Sequence, residues 1–417
     1  MKFINTIKNI WKIEELKNRI LVTLGLLLVY RFGAQVVLPG IDAAQLSNLA
    51  NQTDSGLLGL LNAFTGGAFS NASVFALGIM PYISASIVVQ LMGIAIPYLQ
   101  KLQKEGESGR KKINQITRWL TIAITLVQGP GYIYNLFATL PGEAFLLGDN
   151  LTFVVSSVII LTTGTIFAMW LGEKITDKGI GNGISLLIMV GIIATLPQAF
   201  IQEFASRVFE SDGGLVMILI ELVIWFAIIM ASVMLVMAVR QIPVQYARRS
   251  ASGGYEKNVF GSRQYIPLKL NASGVMPIIF AQAIMFIPVA VAGLSDSDAA
   301  QGVTAAFQNI FGFWYNLVFA LLIIVFTYFY TAITVPTNKM ADDLKRSGGF
   351  IPGIRPGSET SEYLDRIMSQ ITLPGSIFLA LIAVFPAIVV QLLGVQQNWA
   401  LFFGGTSLLI MVGVAID

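Results

Sequence analysis

Two pairs of isoleucines have the spacing needed for a constriction that excludes water. Ile83 and Ile87 lie four residues apart in one apolar stretch, and Ile184 and Ile188 do so in another. Residues at this spacing share one face of a helix, and converging aliphatic side chains close a pore to water and ions by dewetting. The same spacing fits packing against lipid or a helical core, so it leaves both interpretations open.

A Gly-x-Met-Pro-x-Ile motif occurs twice, as GIMPYISAS at 78–86 and GVMPIIFAQA at 274–283. Glycine and proline are the weakest helix formers in a helix interior, so each motif predicts an interrupted membrane helix. Aligning the motifs pairs Ile83 with Ile279. The repeat indicates either kinks and close-packing points, which membrane helices tolerate, or a shared functional role at equivalent positions of two halves.

Several kinds of chemistry are excluded by residue type. Cysteine and histidine are absent, which excludes disulfides, thiol and imidazole catalysis, and the usual zinc and haem ligands. Only Arg31 and Glu221 are ionisable within the apolar stretches, each near the outer end where it can snorkel, so the ion relay of a coupled transporter is missing. GIGNG at 179–183 lacks the strand and the Lys-Ser/Thr of a phosphate-binding loop. We therefore expect no enzyme activity, no cofactor and no metal, with energy supplied by a partner or a gradient.

These residues belong to a chain that is 55% hydrophobic and 12% charged, a composition typical of a polytopic membrane protein. A bilayer core of about 30 Å needs about 20 apolar residues in a helix. The first 19 residues are basic and amphipathic and do not resemble a removable signal peptide. Ten apolar stretches predict transmembrane helices at 20–38, 73–97, 119–139, 151–171, 182–202, 215–239, 272–293, 313–335, 373–393 and 399–416.

The positive charges predict the topology, because Lys and Arg mark cytoplasmic loops. Of the 26 Lys and Arg residues, all except Arg31 and Arg207 fall on one side of the ten predicted spans. We therefore predict an all-α polytopic membrane protein with both termini in the cytoplasm. Five spans in each half place the second half in the opposite orientation, so the halves 1–203 and 204–417 are predicted inverted repeats.

The segment SGLLGLLNAFTGGAFSNAS at 55–73 is apolar but too short to cross the membrane. Runs of this length are more often re-entrant or interfacial than spanning, and irregular backbone at membrane depth persists only where it lines a cavity or is buried in protein. Two interpretations are open: a re-entrant stopper for a pore, entering from outside, or an interfacial helix on the outer leaflet.

The cytoplasmic loops 240–270 and 336–372 are long for simple connections and mix charges with turn residues. Long loops often carry binding sites, although their basic content is also explained by topology alone. From the residues alone three classes of protein remain: a channel, a transporter with a small-molecule site at its broken helices, and a membrane scaffold without a conduit.

Five stretches together resemble the SecY family, the central subunit of the bacterial Sec protein-conducting channel. They are FALGIMPYISAS, KEGESGRKKI, MWLGEKITDKGIGNGIS, FIPGIRPGSET and FFGGTSLLI, and they are spread through the predicted spans and their loops, so that the resemblance covers nearly the whole chain. The resemblance implies two five-helix halves hinged opposite a lateral gate, around an hourglass pore closed by an aliphatic ring and a plug. It also implies translocation of unfolded, signal-bearing polypeptides and lateral release of transmembrane segments into lipid, across the bacterial cytoplasmic membrane.

The resemblance further assigns residues and partners. The implied plug is 57–70, with Leu57, Leu58, Leu60, Leu61, Asn62, Phe64, Thr65, Gly66 and Gly67. The implied pore ring comprises Ile83, Ile87, Ile184, Ile188, Ile279 and Ile410. The implied lateral-gate residues are Ser84, Gln128 and Phe286, and the implied docking residues are Arg248, Arg249, Lys257, Arg346 and Arg355. The implied partners are the small subunits SecE and SecG, the motor ATPase SecA, the ribosome, signal peptides and nascent chains, and the lipid bilayer.

Overall fold

The computed structural model describes residues 11–46, 56–146, 151–209, 214–246, 264–292, 306–307 and 309–416. Helices dominate these ranges, with short 3₁₀ turns at Ala43–Gln45 and Gly142–Ala144. The helices, numbered in chain order, are α1 (Glu14–Gly33), α2 (Gly56–Thr65), α3 (Met80–Ala95), α4 (Pro97–Lys104), α5 (Glu107–Thr139), α6 (Leu151–Lys178), α7 (Gly183–Phe209), α8 (Gly214–Met237), α9 (Met276–Ala292), α10 (Phe313–Thr334), α11 (Thr337–Arg346), α12 (Ser358–Leu393), α13 (Gln397–Ala400) and α14 (Gly405–Ile416).

The described helices establish a multi-pass membrane protein. Five are long and apolar enough to cross a bilayer: α6, α7, α8, α10 together with α11, and α12. A sixth span results if α3 and α4, which are bent by 102° at their junction, count as one. Every one of the ten predicted spans contains a described helix, but α9 and α14 have apolar helical parts shorter than a full span. The ten-span layout therefore stays a prediction.

The repeated Gly-x-Met-Pro motif begins a helix in both places, and the predicted interruption inside a helix is wrong. Gly78 and Gly274 have φ values of 52° and 62°, which favour glycine because they disfavour a side chain. Two residues later α3 and α9 begin, and Pro81 and Pro277 are the second residue of each. Proline fits there because the first turn of a helix leaves its N–H groups without helical partners.

One compact unit, called the first unit, comprises residues 1–215, 394–402 and 414–417. In it α5 packs against α3 and α6, and α7 packs against α2, α6 and α13. Two buried clusters hold these helices. The first includes Phe69, Tyr132, Leu136, Phe153 and Leu161, and the second includes Tyr30, Phe75, Ile79, Leu171, Ile175 and Leu187.

The second unit comprises residues 216–393 and 403–413. In this unit α10 packs against α9 and α12, and α11 packs against α12. A three-stranded antiparallel sheet lies beside them, in the order β2–β1–β3, formed by β1 (Val239–Tyr246), β2 (Gln264–Lys269) and β3 (Gly349–Phe350).

These strands are an addition to the predicted all-α fold. β2 lies in the predicted cytoplasmic loop 240–270, and β1 begins one residue before this loop. β3 lies in the predicted loop 336–372. In β1, Ile242 and Val244 are buried and alternate with exposed neighbours, as expected for a half-buried strand. They pack with Leu364 in a small cluster, so the sheet contacts the N-terminal part of α12.

Candidate functional site

The predicted plug segment 57–70 forms the short helix α2 and the turn that follows it. Of the residues predicted there, Phe64, Thr65 and Gly66 are buried, whereas Leu61, Asn62 and Gly67 are half-buried. Leu57, Leu58 and Leu60 belong to α2, but their side chains lie outside the described part of the chain. Most of the described part of this segment is covered by protein, and both the re-entrant and the interfacial interpretation stay predictions.

Arg31 of α1 contacts the end of α2. Its Nη1 donates a hydrogen bond of 2.8 Å to the carbonyl oxygen of Gly66. Gly66 follows the last residue of α2 and has a φ of 66°. A positive charge here is favourable, because the carbonyl groups at the C-terminal end of a helix carry partial negative charge.

The backbone of α7 approaches α2 so closely that no side chain fits between them. A Cβ atom built on Gly191 would lie 2.8 Å from the carbonyl oxygen of Phe64 and 3.3 Å from the backbone nitrogen of Gly66. A Cβ on Gly66 would in turn lie 2.7 Å from the Cα of Gly191. Glycine at both positions is therefore a requirement of this contact.

Polar groups fix the turn that follows α2. The amide oxygen Oδ1 of Asn62 accepts a 3.1 Å hydrogen bond from the backbone N–H of Ser70. The hydroxyl of Thr65 accepts a 3.2 Å bond from the N–H of Phe69. From α5, the hydroxyl of Tyr132 donates a 2.8 Å bond to the carbonyl oxygen of Phe69, and the two rings stack edge to face with centroids 4.9 Å apart. These bonds hold the turn in one conformation.

A polar cavity of about 230 Å³ lies beside α2 within the first unit. Gly59, Gly66 and Gly67 of the plug segment line it, together with the Arg31 side chain. Amide side chains make up much of the remaining lining: Gln35, Asn62, Asn71, Gln198, Gln202 and Asn398. The cavity therefore offers hydrogen-bond donors and acceptors next to a segment whose other side packs against apolar residues.

Four predicted pore-ring residues lie in the first unit. Ile83 of α3 and Ile184 of α7 are half-buried and pack against the same cluster, which contains Ile79. Ile87 and Ile188, one turn further along, are buried. The remaining two ring residues belong to the second unit, where Ile279 is half-buried in α9 and Ile410 is buried in α14.

The predicted lateral-gate residues are placed on three helices. Ser84 is half-buried in α3, and Gln128 is exposed on α5, which packs against α3. Phe286 falls in α9, but its side chain lies outside the described residues. The structure therefore leaves the gate assignment untested.

Comparison with known proteins decides the family. The SecY family profile matches residues 73–417. The protein translocase subunit SecY of Streptomyces scabiei is 41% identical over 425 residues, covering 98% of this chain and 94% of that protein. The subunit of the same name from Escherichia coli K12 is 40% identical, covering 97% and 90%. This chain belongs to the SecY family.

Solved structures agree with the SecY fold. A protein-conducting channel covers 96% of this chain and 90% of its own, with a TM-score of 0.59 and 17% identity. The idle yeast Ssh1 complex bound to the 80S ribosome gives a TM-score of 0.60 at 15% identity, covering 96% and 88%. At these identities the likeness concerns the fold alone.

The docking residues expected for a SecY-family chain are only partly described. Arg248, Arg249 and Lys257 lie outside the described residues. Arg346 is exposed in the last turn of α11. Arg355 has an 88% exposed side chain.

Arg355 projects from a loop whose backbone is well fixed. Gly353 and Gly357 on either side have φ values of 85° and 118°, and the hydroxyl of Thr360 donates a 2.8 Å hydrogen bond to the Arg355 carbonyl oxygen. The guanidinium lies 3.7 Å from the Glu359 carboxylate, an exposed and weak ion pair. Its charge is therefore available to a partner.

The positions of Arg31 and Glu221 in this SecY-family chain differ from those that the sequence predicts. Arg31 donates to the plug segment, whereas snorkelling was its expected role. Glu221, expected to snorkel as well, is 1% exposed inside the second unit. The signal for Arg31 was available, because an ionisable residue inside a membrane span usually has a specific partner. Gly191 and Tyr132 carry no comparable signal, because both lie in helices where glycine and tyrosine are common.

Proposed function

We propose that this SecY-family chain is a protein-conducting channel, which passes unfolded, signal-bearing polypeptides across the cytoplasmic membrane of a bacterium and releases transmembrane segments sideways into lipid. Relatives about 40% identical over nearly the whole chain are named as protein translocase subunits, which supports this role. Ten membrane helices in two inverted halves, 1–203 and 204–417, would form the conduit, with both termini in the cytoplasm.

The six isoleucines Ile83, Ile87, Ile184, Ile188, Ile279 and Ile410 form the pore ring in this proposal. Branched aliphatic side chains yield to residues of varied size and offer none of them a polar binding site. Without a polypeptide the ring stays closed to ions by dewetting. The packing of Ile83 and Ile184 against one cluster in the first unit supports a shared site for these two residues.

The packing of α2, the proposed plug, is the observation that carries the proposal. α2 is a short apolar helix, too short to span the membrane. Arg31 and a backbone contact at Gly191 attach its end, and Tyr132 bonds to the turn that follows it. A polar cavity lies next to it. A structural element that is covered by protein, attached by few bonds and bordered by a polar space suits a stopper that leaves its seat when a chain passes.

Signal peptides open the channel at the lateral gate, for which Ser84, Gln128 and Phe286 are the proposed lining residues. The apolar part of a signal peptide replaces helix–helix contacts at the gate, and this exchange supplies the free energy of opening. The same opening releases apolar segments into the bilayer.

The partners set the direction of transport, because the chain is proposed to be a passive channel without catalytic residues. ATP hydrolysis by SecA or translation by the ribosome pushes the polypeptide, and SecE and SecG are the proposed small subunits. Docking involves Arg248, Arg249, Lys257, Arg346 and Arg355. The ribosome is supported by the fold likeness to Sec61 in a canine ribosome–channel complex, with a TM-score of 0.54 at 17% identity.

Site-specific crosslinking tests the channel. Because the chain contains no cysteine, single cysteines at positions 83, 184 and 279 are the only thiols available. A secretory polypeptide stalled during transport and carrying a thiol-reactive probe should crosslink to each of them. The matched control is a cysteine replacing Ile159, which is 58% exposed on α6.

Crosslinks at 83, 184 and 279 with none at 159 support a conduit through the ring. Crosslinks confined to position 159 would show that the polypeptide contacts only the outer surface of the protein, and the channel proposal would be wrong.

A further inference from the structure

The segment 394–402, called the connecting segment, lies between α12 and α14 and belongs to the first unit. It starts at Gly394, whose φ of 61° favours glycine, and it contains the short helix α13. Although about 190 residues separate it from α7 in sequence, it packs against that helix. Trp399 is 2% exposed, with its ring 5.3 Å from that of Phe200.

A buried carboxylate joins the connecting segment to α7. Glu203 is 2% exposed, and both of its oxygens are used. Oε1 accepts a 2.8 Å hydrogen bond from Nε of Arg207, one turn along the same helix. Oε2 accepts a 2.8 Å bond from the backbone N–H of Gln396.

Two side-chain hydrogen bonds flank this buried bond. The amide of Gln396 donates to the hydroxyl of Ser206 at 3.3 Å, and the amide of Asn398 donates to Oε1 of Gln202 at 3.2 Å. Both are exposed and compete with water, so they contribute less than the part-buried bond to the Glu203 carboxylate. Glu203 is therefore the main polar attachment of the connecting segment to α7.

The attached segment also borders the plug cavity. Asn398, Leu401 and Phe402 line the same cavity as Gly59 and Gly66 of the plug segment. Displacement of the connecting segment therefore removes one side of the cavity next to α2.

We propose that Glu203 is a positioning residue for the closed channel: by fixing the connecting segment to α7 through the Gln396 N–H, it keeps the cavity around the plug intact and the resting channel closed to ions. This inference rests on the proposed channel function. The inference assigns to the buried ion pair of Glu203 and Arg207 a role in keeping the resting channel closed to ions, in addition to its contribution to folding.

Substitutions at Gln396 test the backbone bond directly. Gln396 has a φ of −58°, which proline adopts without strain. Gln396→Pro removes both the N–H and the side chain, whereas Gln396→Ala removes the side chain and keeps the N–H. Glu203→Gln keeps the shape of the acceptor and removes its charge. Glu173→Gln is the control, because Glu173 forms a 2.6 Å ion pair with Arg118 that does not line the cavity.

The measurement is ion flux through membrane vesicles that carry the full chain without a transported polypeptide. We expect Gln396→Pro and Glu203→Gln to raise the flux tenfold or more, Gln396→Ala less than threefold, and Glu173→Gln not at all. In the Glu203→Gln background, cysteines at 206 and 396 joined by a short bifunctional thiol reagent should restore the seal, an effect that a purely structural role of Glu203 would not produce.

Vesicles with Gln396→Pro or Glu203→Gln that are as tight as wild type would overturn the proposal, and so would equal leaks from Gln396→Pro and Gln396→Ala. If Gln396→Pro does not accumulate in the membrane, the ion flux of the isosteric Glu203→Gln variant, with and without the crosslink between positions 206 and 396, tests the proposal instead. Translocation of a secretory polypeptide by the wild-type vesicles is measured in parallel. Its failure contradicts the channel, whereas tight variants beside an active wild type contradict only the role of Glu203.

Discussion

Arg31 donates a 2.8 Å hydrogen bond to the carbonyl oxygen of Gly66, joining α1 to the residue that follows α2 across 35 residues of sequence. A bond from a charged donor contributes about 2 kcal/mol, which corresponds to roughly a thirtyfold change in an equilibrium. If α2 is the plug of the proposed channel, Arg31→Ala should therefore favour a displaced position of α2 and raise ion flux in resting vesicles. The control is Arg118→Ala, which breaks an ion pair away from the plug. Equal flux in the two variants would show that Arg31 does not hold the plug.

Gly191→Ala should displace α2, because the new Cβ would lie 2.8 Å from the Phe64 carbonyl oxygen. Overpacking of this kind costs about 1–3 kcal/mol. The measurement is labelling of a cysteine placed at position 62 by a membrane-impermeant maleimide, which should be faster in the variant. Gly25→Ala is the control, since a Cβ there meets no atom within 4 Å in the described part of the chain. Unchanged labelling in Gly191→Ala would mean that the helices separate without moving the plug.

Tyr132→Phe keeps the aromatic contact with Phe69 and removes the hydroxyl that donates to the Phe69 carbonyl. The Phe69 carbonyl keeps its 3.3 Å bond from the backbone N–H of Ala72, so the variant loses one hydrogen bond, a net contribution of about 1 kcal/mol. The midpoint of denaturant unfolding in detergent should therefore fall. Tyr134→Phe is the matched control, because Tyr134 is 65% exposed and its substitution should change stability by about 0.5 kcal/mol or less. Similar losses in both variants would contradict a specific role for the Tyr132 hydroxyl.

The two Gly-x-Met-Pro motifs give a paired prediction. Gly274→Ala should cost about 1 kcal/mol, from the positive φ alone, because no atom of the described residues lies within 4 Å of the added Cβ. Gly78→Ala should cost more, since its Cβ would also lie 3.1 Å from Cγ2 of Thr65 in α2. Unfolding free energies in detergent measure the difference, and a larger loss at position 274 would refute the reasoning.

Arg355→Glu reverses an exposed charge without disturbing a core. We expect the variant to insert into the membrane at wild-type levels and to lose motor-driven translocation. Arg366→Glu, an exposed charge reversal on the neighbouring helix, is the control and should retain transport. Wild-type translocation by Arg355→Glu in a reconstituted assay would rule out its proposed docking role.

The helices were predictable from the sequence because their apolar stretches are long, and α2 was visible as a stretch too short to cross. The residue at which α3 begins was not predictable. Periodicity alone does not show that Gly78 has a positive φ or that Pro81 lies in the first turn of the helix. The strands had a signal in the alternation of QIPVQY, where Ile242 and Val244 are buried. The charge-rich composition of the surrounding loop obscured it.

The contacts that hold the plug segment and the connecting segment could not be predicted from one sequence. Arg31 and Gly66 are 35 residues apart, and Glu203 and Gln396 are 193 residues apart. No local pattern relates the members of either pair. Each depends on the tertiary packing of whole helices, which fixes the distance between two groups that are unremarkable in their own segments.

The antiparallel strands β1 and β2 have a mechanical consequence. β1 begins at Val239, directly after α8, and β2 ends at Lys269, shortly before α9, and these two residues pair at the base of the hairpin. A force that separates α8 from α9 pulls on that base and breaks the hydrogen bonds one after another, as in unzipping. The paired base therefore links the end of α8 to the segment that precedes α9.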